Sequence, residues 1–126
     1  AAVMGEALVM TTKSGVDLKL AWEALKIGAA ESWCMHHDAP SVFAGHYDPS
    51  FSLDLCKKDL DLIVGACDDA ETAAPITRAV YAQFEKARQT YGGDKGELHI
   101  VKLEEDAANV SLRMEGDWQP HWEKTL

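Results

Sequence analysis

Apolar residues recur every three or four positions along most of this chain, which is the spacing of one face of an α-helix. The most regular stretch is 51–64, FSLDLCKKDLDLIV, in which leucines are separated by lysines and aspartates. The set Leu53, Leu60, Ile63 and Cys67 falls on one helical face and predicts a buried stripe, while the charged residues predict an edge that meets solvent or a cleft. We therefore expect a central helix here, around which the rest of the chain packs.

Five further helices follow from the same periodicity and from capping signals. They are a first helix that ends at Lys13 before Gly15, a second from Asp17 to Gly28, a short third at 33–38, a fifth from Pro75 to Gly92, and a sixth that opens at Asp94 or Gly96 and runs towards Leu112. Asp17 and Ser32 are good N-caps, and glycine supplies the left-handed residue after a helix. No stretch alternates as a β-strand does. The sequence therefore predicts an all-α domain of about six helices.

Two segments lack this regularity. Pro40 is expected to end the third helix, because a proline pushes the residue before it out of helical geometry, and residues 39–50 then form a long loop. Residues 113–126 contain proline and glycine but also Trp118 and Trp122. This irregular tail is either frayed or docked on another surface.

Composition narrows the range of functions. The chain has 126 residues, 47% of them hydrophobic, and a formal net charge of −9. A chain of this size can bury a core without disulfides, so we predict a single domain over residues 1–126. The acidic balance argues against nucleic acid and anionic membrane as partners. Three cysteines, an odd number, and the lack of an apolar run long enough for a membrane span favour the cytoplasm or another reducing compartment.

One short segment is rich in side chains that could bind a metal ion. Its members are Cys34, His36, His37, Asp38 and His46. Neither an HExxH pair nor a CxxC pair is present to place two ligands one helical turn apart. We therefore predict no metal site and interpret these residues as part of a loop and a helix end. A cysteine nucleophile is not predicted either, since nothing in the sequence marks which thiol would be activated.

The charges of 57–61, KKDLD, have a simple explanation from spacing alone. Lysines and aspartates three or four residues apart form ion pairs on the solvated face of many helices. This interpretation is favoured as long as only periodicity and composition are considered.

Three segments carry a more specific pattern, and they are GEALVMTTKSGVDLKLAWEALKIGAAESW, FSLDLCKKDLDLIV and AAPITRAVYAQFEKARQTYGGDKGE. Phe51 followed by Lys58 and Asp59 is among their most specific pieces. In this order the segments resemble the C-terminal helical domain of the β-hydroxyacid dehydrogenases. That family includes 3-hydroxyisobutyrate dehydrogenase and is related to 6-phosphogluconate dehydrogenase.

The resemblance implies a two-domain enzyme, in which an N-terminal Rossmann domain holds NAD or NADP and this domain closes the cleft. It also implies that Phe51 packs near the nicotinamide and substrate, that Lys58 reaches the cofactor, and that Asp59 orients that lysine or the catalytic one. Trp33 either walls the substrate side or is a buried aromatic anchor, and the anchor is favoured. The family's catalytic lysine would precede Ala1, so no catalytic residue is expected in this chain.

Two functions remain open. In the first, the chain is the C-terminal substrate and dimerisation domain of an NAD(P)-dependent oxidoreductase that acts on a β-hydroxy acid or the matching semialdehyde. The chain is then a fragment, inactive and without cofactor when alone, whose partners are the missing Rossmann domain and further copies of itself. In the second, it is a helical interaction module that dimerises through apolar faces and has no catalytic role.

Overall fold

The computed structural model describes residues 1–48 and 51–118, and within these ranges the chain is all-α, which confirms the predicted fold class. The ranges contain six α-helices, one π-helical turn and no β-strand. The helices are α1 (Ala2–Lys13), α2 (Leu18–Lys26), α3 (Ala39–Phe43), α4 (Leu53–Asp69), α5 (Pro75–Tyr91) and α6 (His99–Ala108), and the π-helical turn spans Cys34–Asp38.

Local signals place most of the helix ends. Asp17 caps α2 and Ser52 caps α4, each by accepting a hydrogen bond from a backbone amide three residues on, at 2.8 and 3.2 Å. Pro75 occupies the first turn of α5, where its missing amide hydrogen is not needed. Gly92 follows α5 with a φ of 104°, a value that favours glycine. The ends at Asp17, Pro75 and Gly92 agree with the expectations from the sequence, whereas the cap at Ser52 was not predicted.

The predicted loop over residues 39–50 is wrong in its first half. The π-helical turn continues directly into α3, and Pro40 lies in the first turn of α3, where a proline is tolerated. The Ala39 amide donates to the Cys34 carbonyl, which is the i to i+5 spacing of a π-turn. A change of helical register ahead of Pro40 thus replaces the break that the sequence rule predicts.

The hydrophobic core lies where α1 packs on α6, and α3 covers it. Its large, fully enclosed apolar side chains are Leu8, Val42, Phe43, Leu53, Leu98, Ile100, Val101 and Leu112. Trp22 of α2 borders this core and its indole N–H donates to the Met35 carbonyl at 2.7 Å. Burial of each large side chain is worth about 1.5–3 kcal/mol, so this cluster supplies most of the stabilisation.

The expectation that α4 is the centre of the packing is wrong. Of its predicted stripe only Leu53 is fully buried, Leu60 and Cys67 are half-buried, and Ile63 is 48% exposed. Beyond Cys56, α4 packs mainly on α5 and contributes no residue to the core. Periodicity identified the helix correctly, but the described part of the chain fully covers the apolar face that it marks only at Leu53.

The chain after α6 docks on the core as far as residue 118. The ring of Trp118 packs edge-on against Trp22 and Phe43, with ring centroids 5.3 and 5.2 Å apart. The Met114 amide donates to the Phe43 carbonyl at 3.2 Å. For residues 113–118 the structure therefore supports the docked alternative. Trp122 lies outside the described residues.

A buried carboxyl group holds this docked segment. Glu105 of α6 is enclosed, and its two oxygens accept hydrogen bonds from the Leu112 amide at 2.6 Å and the Tyr47 hydroxyl at 2.5 Å. Burial and the Glu105 carboxyl raise the pKa of Tyr47, so its hydroxyl remains a hydrogen-bond donor. One side chain thus ties α6 both to the segment that follows it and to the loop at residues 44–48.

We expect Glu105→Ala to lower the free energy of unfolding by about 4 kcal/mol, because it leaves two donors in the interior without an acceptor. Tyr47→Phe, the matched control, removes one donor and should cost about 2 kcal/mol. Urea titrations of both variants measure the difference. A loss for Glu105→Ala no larger than that for Tyr47→Phe would show that the carboxyl does not hold both segments.

Candidate functional site

The start of α4 is fixed by a short antiparallel contact with the loop that follows α5. The Glu97 amide donates to the Phe51 carbonyl at 2.7 Å, and Gly96 forms a bridge with Ser52. A methyl group at Gly96 would collide with the backbone of residues 47–48. Only glycine therefore lets the three segments meet, and their meeting fixes the backbone position of Phe51.

The first amides of α4 are already engaged. Those of Leu53, Asp54 and Leu55 donate to the carbonyls of Lys95 and Gly93 and to the hydroxyl of Ser52, at 2.7, 2.9 and 3.2 Å. Free amides at a helix N-terminus are a common site for phosphate groups. Since none of these three is free, an anionic ligand at α4 has to be met by side chains.

An open groove of about 360 Å³ lies between α4 and α5, and its lining is entirely charged. The six residues are Asp54, Lys57, Lys58, Asp61, Glu85 and Arg88. Lys58 was predicted as a site residue, whereas Asp54, Glu85 and Arg88 were not. The antiparallel packing of α4 on α5 brings Asp54 and Arg88 together although they are 34 positions apart in the sequence. No local motif could therefore signal these residues.

Lys57 is committed to partners inside this groove. Its Nζ contacts both carboxylate oxygens of Asp61, at 2.7 and 2.8 Å, and lies 4.7 Å from the centre of the Tyr81 ring. The Tyr81 hydroxyl also donates to Asp61, at 2.9 Å. The bond to Asp61 raises the pKa of Lys57 to about 12, and the bonds from Lys57 and Tyr81 lower the pKa of Asp61. This cluster joins α4 to α5.

Lys58 is held much more loosely than its neighbour. Its side chain is 61% exposed, and its Nζ lies 3.1 Å from a carboxylate oxygen of Asp59, which is itself half-exposed. A surface ion pair of this kind contributes at most about 1 kcal/mol. The head of Lys58 can therefore leave Asp59 for another anion at little cost, whereas Lys57 would give up two contacts with Asp61.

Arg88 closes the end of the groove nearest the start of α4. Its Nε donates to Asp54 at 2.5 Å, and a second guanidinium nitrogen lies 3.8 Å from Glu85. The Asp54 carboxylate raises the pKa of Arg88 further above its ordinary value. Gly93 lies so close to Asp54 that a methyl group there would displace the carboxylate. The glycine after α5 thus leaves room for this ion pair.

The other two predicted site residues lie apart from the charged groove. Phe51 is half-buried and lines a separate cavity of about 160 Å³ together with Asp48 and Asp94. Trp33 is 64% exposed, so the prediction of a buried anchor is wrong, and its ring stacks on His37 with centroids 3.6 Å apart. In the described residues Phe51, Trp33 and Lys58 therefore do not line one common pocket.

We also looked among the described residues for groups that could hold a metal ion and for a reactive thiol. Residues 1–48 and 51–118 gather no three His, Cys, Asp or Glu side chains that could hold a metal ion. Burial, with Glu97 nearby, raises the pKa of Cys56 to about 12, and burial also raises the pKa of Cys34, so both thiols remain protonated at neutral pH. No helix in the described part of the chain is long and apolar enough to cross a membrane.

The all-α fold matches part of a larger dehydrogenase. A crystal structure of 3-hydroxyisobutyrate dehydrogenase from Salmonella typhimurium superimposes with a TM-score of 0.74 over 81% of this chain and 36% of that one, at 22% identity. L-threonate dehydrogenase of Cupriavidus necator is 22% identical over 81% of this chain and 34% of its own length. Glyoxylate/succinic semialdehyde reductase 1 of Arabidopsis thaliana is 30% identical over 71% of this chain and 31% of its own length.

Residues 1–104 match the family model described as the NAD-binding of NADP-dependent 3-hydroxyisobutyrate dehydrogenase. The chain belongs to the β-hydroxyacid dehydrogenase family, which confirms the resemblance found in its sequence. It spans about a third of the length of the curated relatives that it matches.

We expect Lys57→Met to lower the urea midpoint of unfolding at neutral pH, because it removes the cation that joins α4 to α5. The stabilisation linked to the lowered pKa of Asp61 is fully present above the ordinary Asp pKa of 3.8, and it is lost as the pH falls through the lowered value. The stabilisation linked to the raised pKa of Lys57 is fully present below the ordinary Lys pKa of 10.5, and it is lost as the pH rises through about 12. Titrations at neutral and strongly acidic pH should show the difference shrinking in acid.

The matched control for this experiment is Lys58→Met, which removes the same charge from the next position. Its ion pair with Asp59 is exposed, so the midpoint should change little at either pH. Equal shifts for the two lysines would contradict the distinction between a committed and a loosely held cation.

Proposed function

We propose that this chain is the C-terminal helical domain of a two-domain, NAD(P)-dependent oxidoreductase that acts on a β-hydroxy acid or the corresponding semialdehyde. The observation that carries the proposal is the family match over residues 1–104. The relatives are about three times as long as the matched region, which leaves room in a parent protein for a separate Rossmann domain.

Lys58 is the residue that we assign to cofactor contact. It is exposed and weakly paired, while Lys57 is committed to Asp61. Because the first amides of α4 are engaged, the fit of a dinucleotide to this surface depends on side chains. A lysine head meets ribose or phosphate oxygens as a flexible point charge, and Asp59 holds that head near the helix edge until the ligand arrives.

Phe51 and Trp33 are assigned to the nicotinamide and substrate side. Phe51 lines an open cavity, and Trp33 presents a largely exposed ring, so a second domain or a ligand can cover either of them. The nicotinamide supplies the hydride acceptor or donor of the reaction. The general acid/base lysine is assigned to the parent protein upstream of Ala1, and this chain alone is therefore proposed to be inactive and to bind no cofactor.

The parent coding sequence tests the proposal directly. It should encode a GxGxxG loop near its start and a lysine about ten residues before Ala1. The expressed parent protein should oxidise L-threonate or 3-hydroxyisobutyrate, or reduce succinic semialdehyde or glyoxylate, which are the compounds in the relatives' names. Absorbance of the reduced nicotinamide measures turnover, and this chain alone serves as the inactive control. A parent protein without either motif would support the non-catalytic alternative instead.

In the parent enzyme, we expect Lys58→Met to raise the KM for the cofactor about tenfold, which corresponds to about 1.4 kcal/mol of lost binding. Its melting temperature should stay close to that of the wild type, since the exposed pair with Asp59 adds little stability. Lys57→Met should show the reverse, a lower melting temperature and an unchanged KM for the cofactor. A wild-type KM in the Lys58 variant would rule out cofactor contact by this residue.

The non-catalytic interaction module is the second candidate, and exposed apolar side chains favour it. Leu62 of α4 and Ile76 of α5 are both largely exposed. Such surfaces mark contacts with other molecules. Self-association as a homodimer or larger oligomer is proposed under both functions.

A further inference from the structure

Two charged residues of α4 have the spacing of an ion pair but do not form one. Asp54 and Lys58 stand four positions apart, with the aspartate nearer the helix N-terminus. This is the order and spacing in which a carboxylate and a lysine pair best along a helix. Both side chains line the charged groove, yet the Lys58 head lies against Asp59 instead, at 3.1 Å. Some other contact therefore keeps the Asp54 carboxylate away from Lys58.

That contact is made by Arg88 of α5. Its Nε donates to a carboxylate oxygen of Asp54 at 2.5 Å. The backbone amide of Asp54 also donates to the Gly93 carbonyl, just after α5, at 2.9 Å. Because Gly93 has no side chain, the Asp54 carboxylate fills the space beside it. Both the backbone and the side chain of Asp54 are thus held at the end of α5.

The other carboxylates that line the groove are engaged as well. Asp61 is bound by Lys57 through both of its oxygens. An oxygen of Glu85 accepts a hydrogen bond from the Gln89 side chain at 2.8 Å. Of the carboxylates in the described residues, Lys58 is left with the half-exposed one of its sequence neighbour.

We infer that Arg88 is a positioning residue for Lys58: by binding Asp54, it keeps the head of Lys58 available to the cofactor. The inference rests on the assignment of Lys58 to cofactor contact and adds a second residue to it. Without Arg88, the Asp54 carboxylate can turn along α4 and compete with an anionic ligand for the Lys58 ammonium group. The apparent affinity for the cofactor then falls with the fraction of molecules in which Lys58 is captured.

In the parent enzyme, Arg88→Met should raise the KM for the cofactor about threefold, because the released Asp54 competes for Lys58. The double variant Asp54→Asn/Arg88→Met should restore the wild-type KM, since it releases no carboxylate. Arg78→Met is the matched control: Arg78 also lies on α5 and binds an aspartate of α4, Asp68, at 2.5 Å, but it does not line the charged groove. Its KM should equal that of the wild type. A KM that stays raised in the double variant would overturn the inference, because Arg88 would then act only by stabilising the start of α4.

Acetylation of the 126-residue chain tests the capture of Lys58 without any cofactor. A carboxylate bound to an ammonium group favours its charged form, and only the neutral amine reacts with acetic anhydride. Tandem mass spectrometry should show slower acetylation of Lys58 in Arg88→Met than in the wild type, and the wild-type rate in the double variant and in Arg78→Met. Equal rates in all four proteins would overturn the inference. Slower acetylation in Arg88→Met together with an unchanged KM would support the effect of Arg88 on Lys58 and count against Lys58 as a cofactor contact.

Discussion

The close contact between α1 and α6 supports the rest of this fold. A Cβ atom at Gly5 would lie only 3.2–3.3 Å from Val101, so a side chain there would crowd the two helices apart. A glycine inside a helix costs about 1 kcal/mol relative to alanine. The apolar surface that Leu8 and Val101 bury between the helices offsets this cost. The docked C-terminal segment is then fixed to α6 by Glu105, and the aromatic group around Trp22 closes over it.

Features that depend on neighbouring residues could be predicted from the sequence. Asp17 caps α2 through a side chain that reaches only three residues, and Pro75 sets the first turn of α5 through its own ring. The break expected at Pro40 was wrong for a related reason. Proline lacks an amide hydrogen and its ring crowds the preceding turn. Here a π-helical turn precedes it and Pro40 lies in the first turn of α3, where no amide hydrogen is needed, an arrangement that a rule about adjacent residues does not foresee.

Features that depend on contacts between segments distant in sequence could not be predicted. Periodicity placed Leu53 and Ile63 on one face of α4, but one is buried and the other is exposed, because the core covers only the first turn of the helix. The ion pair between Asp54 and Arg88 joins two helices, and neither residue stands out in its own segment. The spacing of 57–61 could not separate Lys57 from Lys58 either. What separates them is Tyr81 and Asp61, which face one lysine and not the other.

The two interpretations of α4, a solvated charged face and a functional surface, are compatible because the helix has two distinct exposed faces. Asp54, Lys57, Lys58 and Asp61 stand at i, i+3, i+4 and i+7 and face the charged groove towards α5. Leu55, Leu62 and Ile63 are exposed along the helix about a third of a turn away. A molecule in contact with these side chains would brace α4 from the side and leave the head of Lys58 open to a ligand. The charged face stays in water in either case, and a loosely held lysine there can exchange Asp59 for an anion.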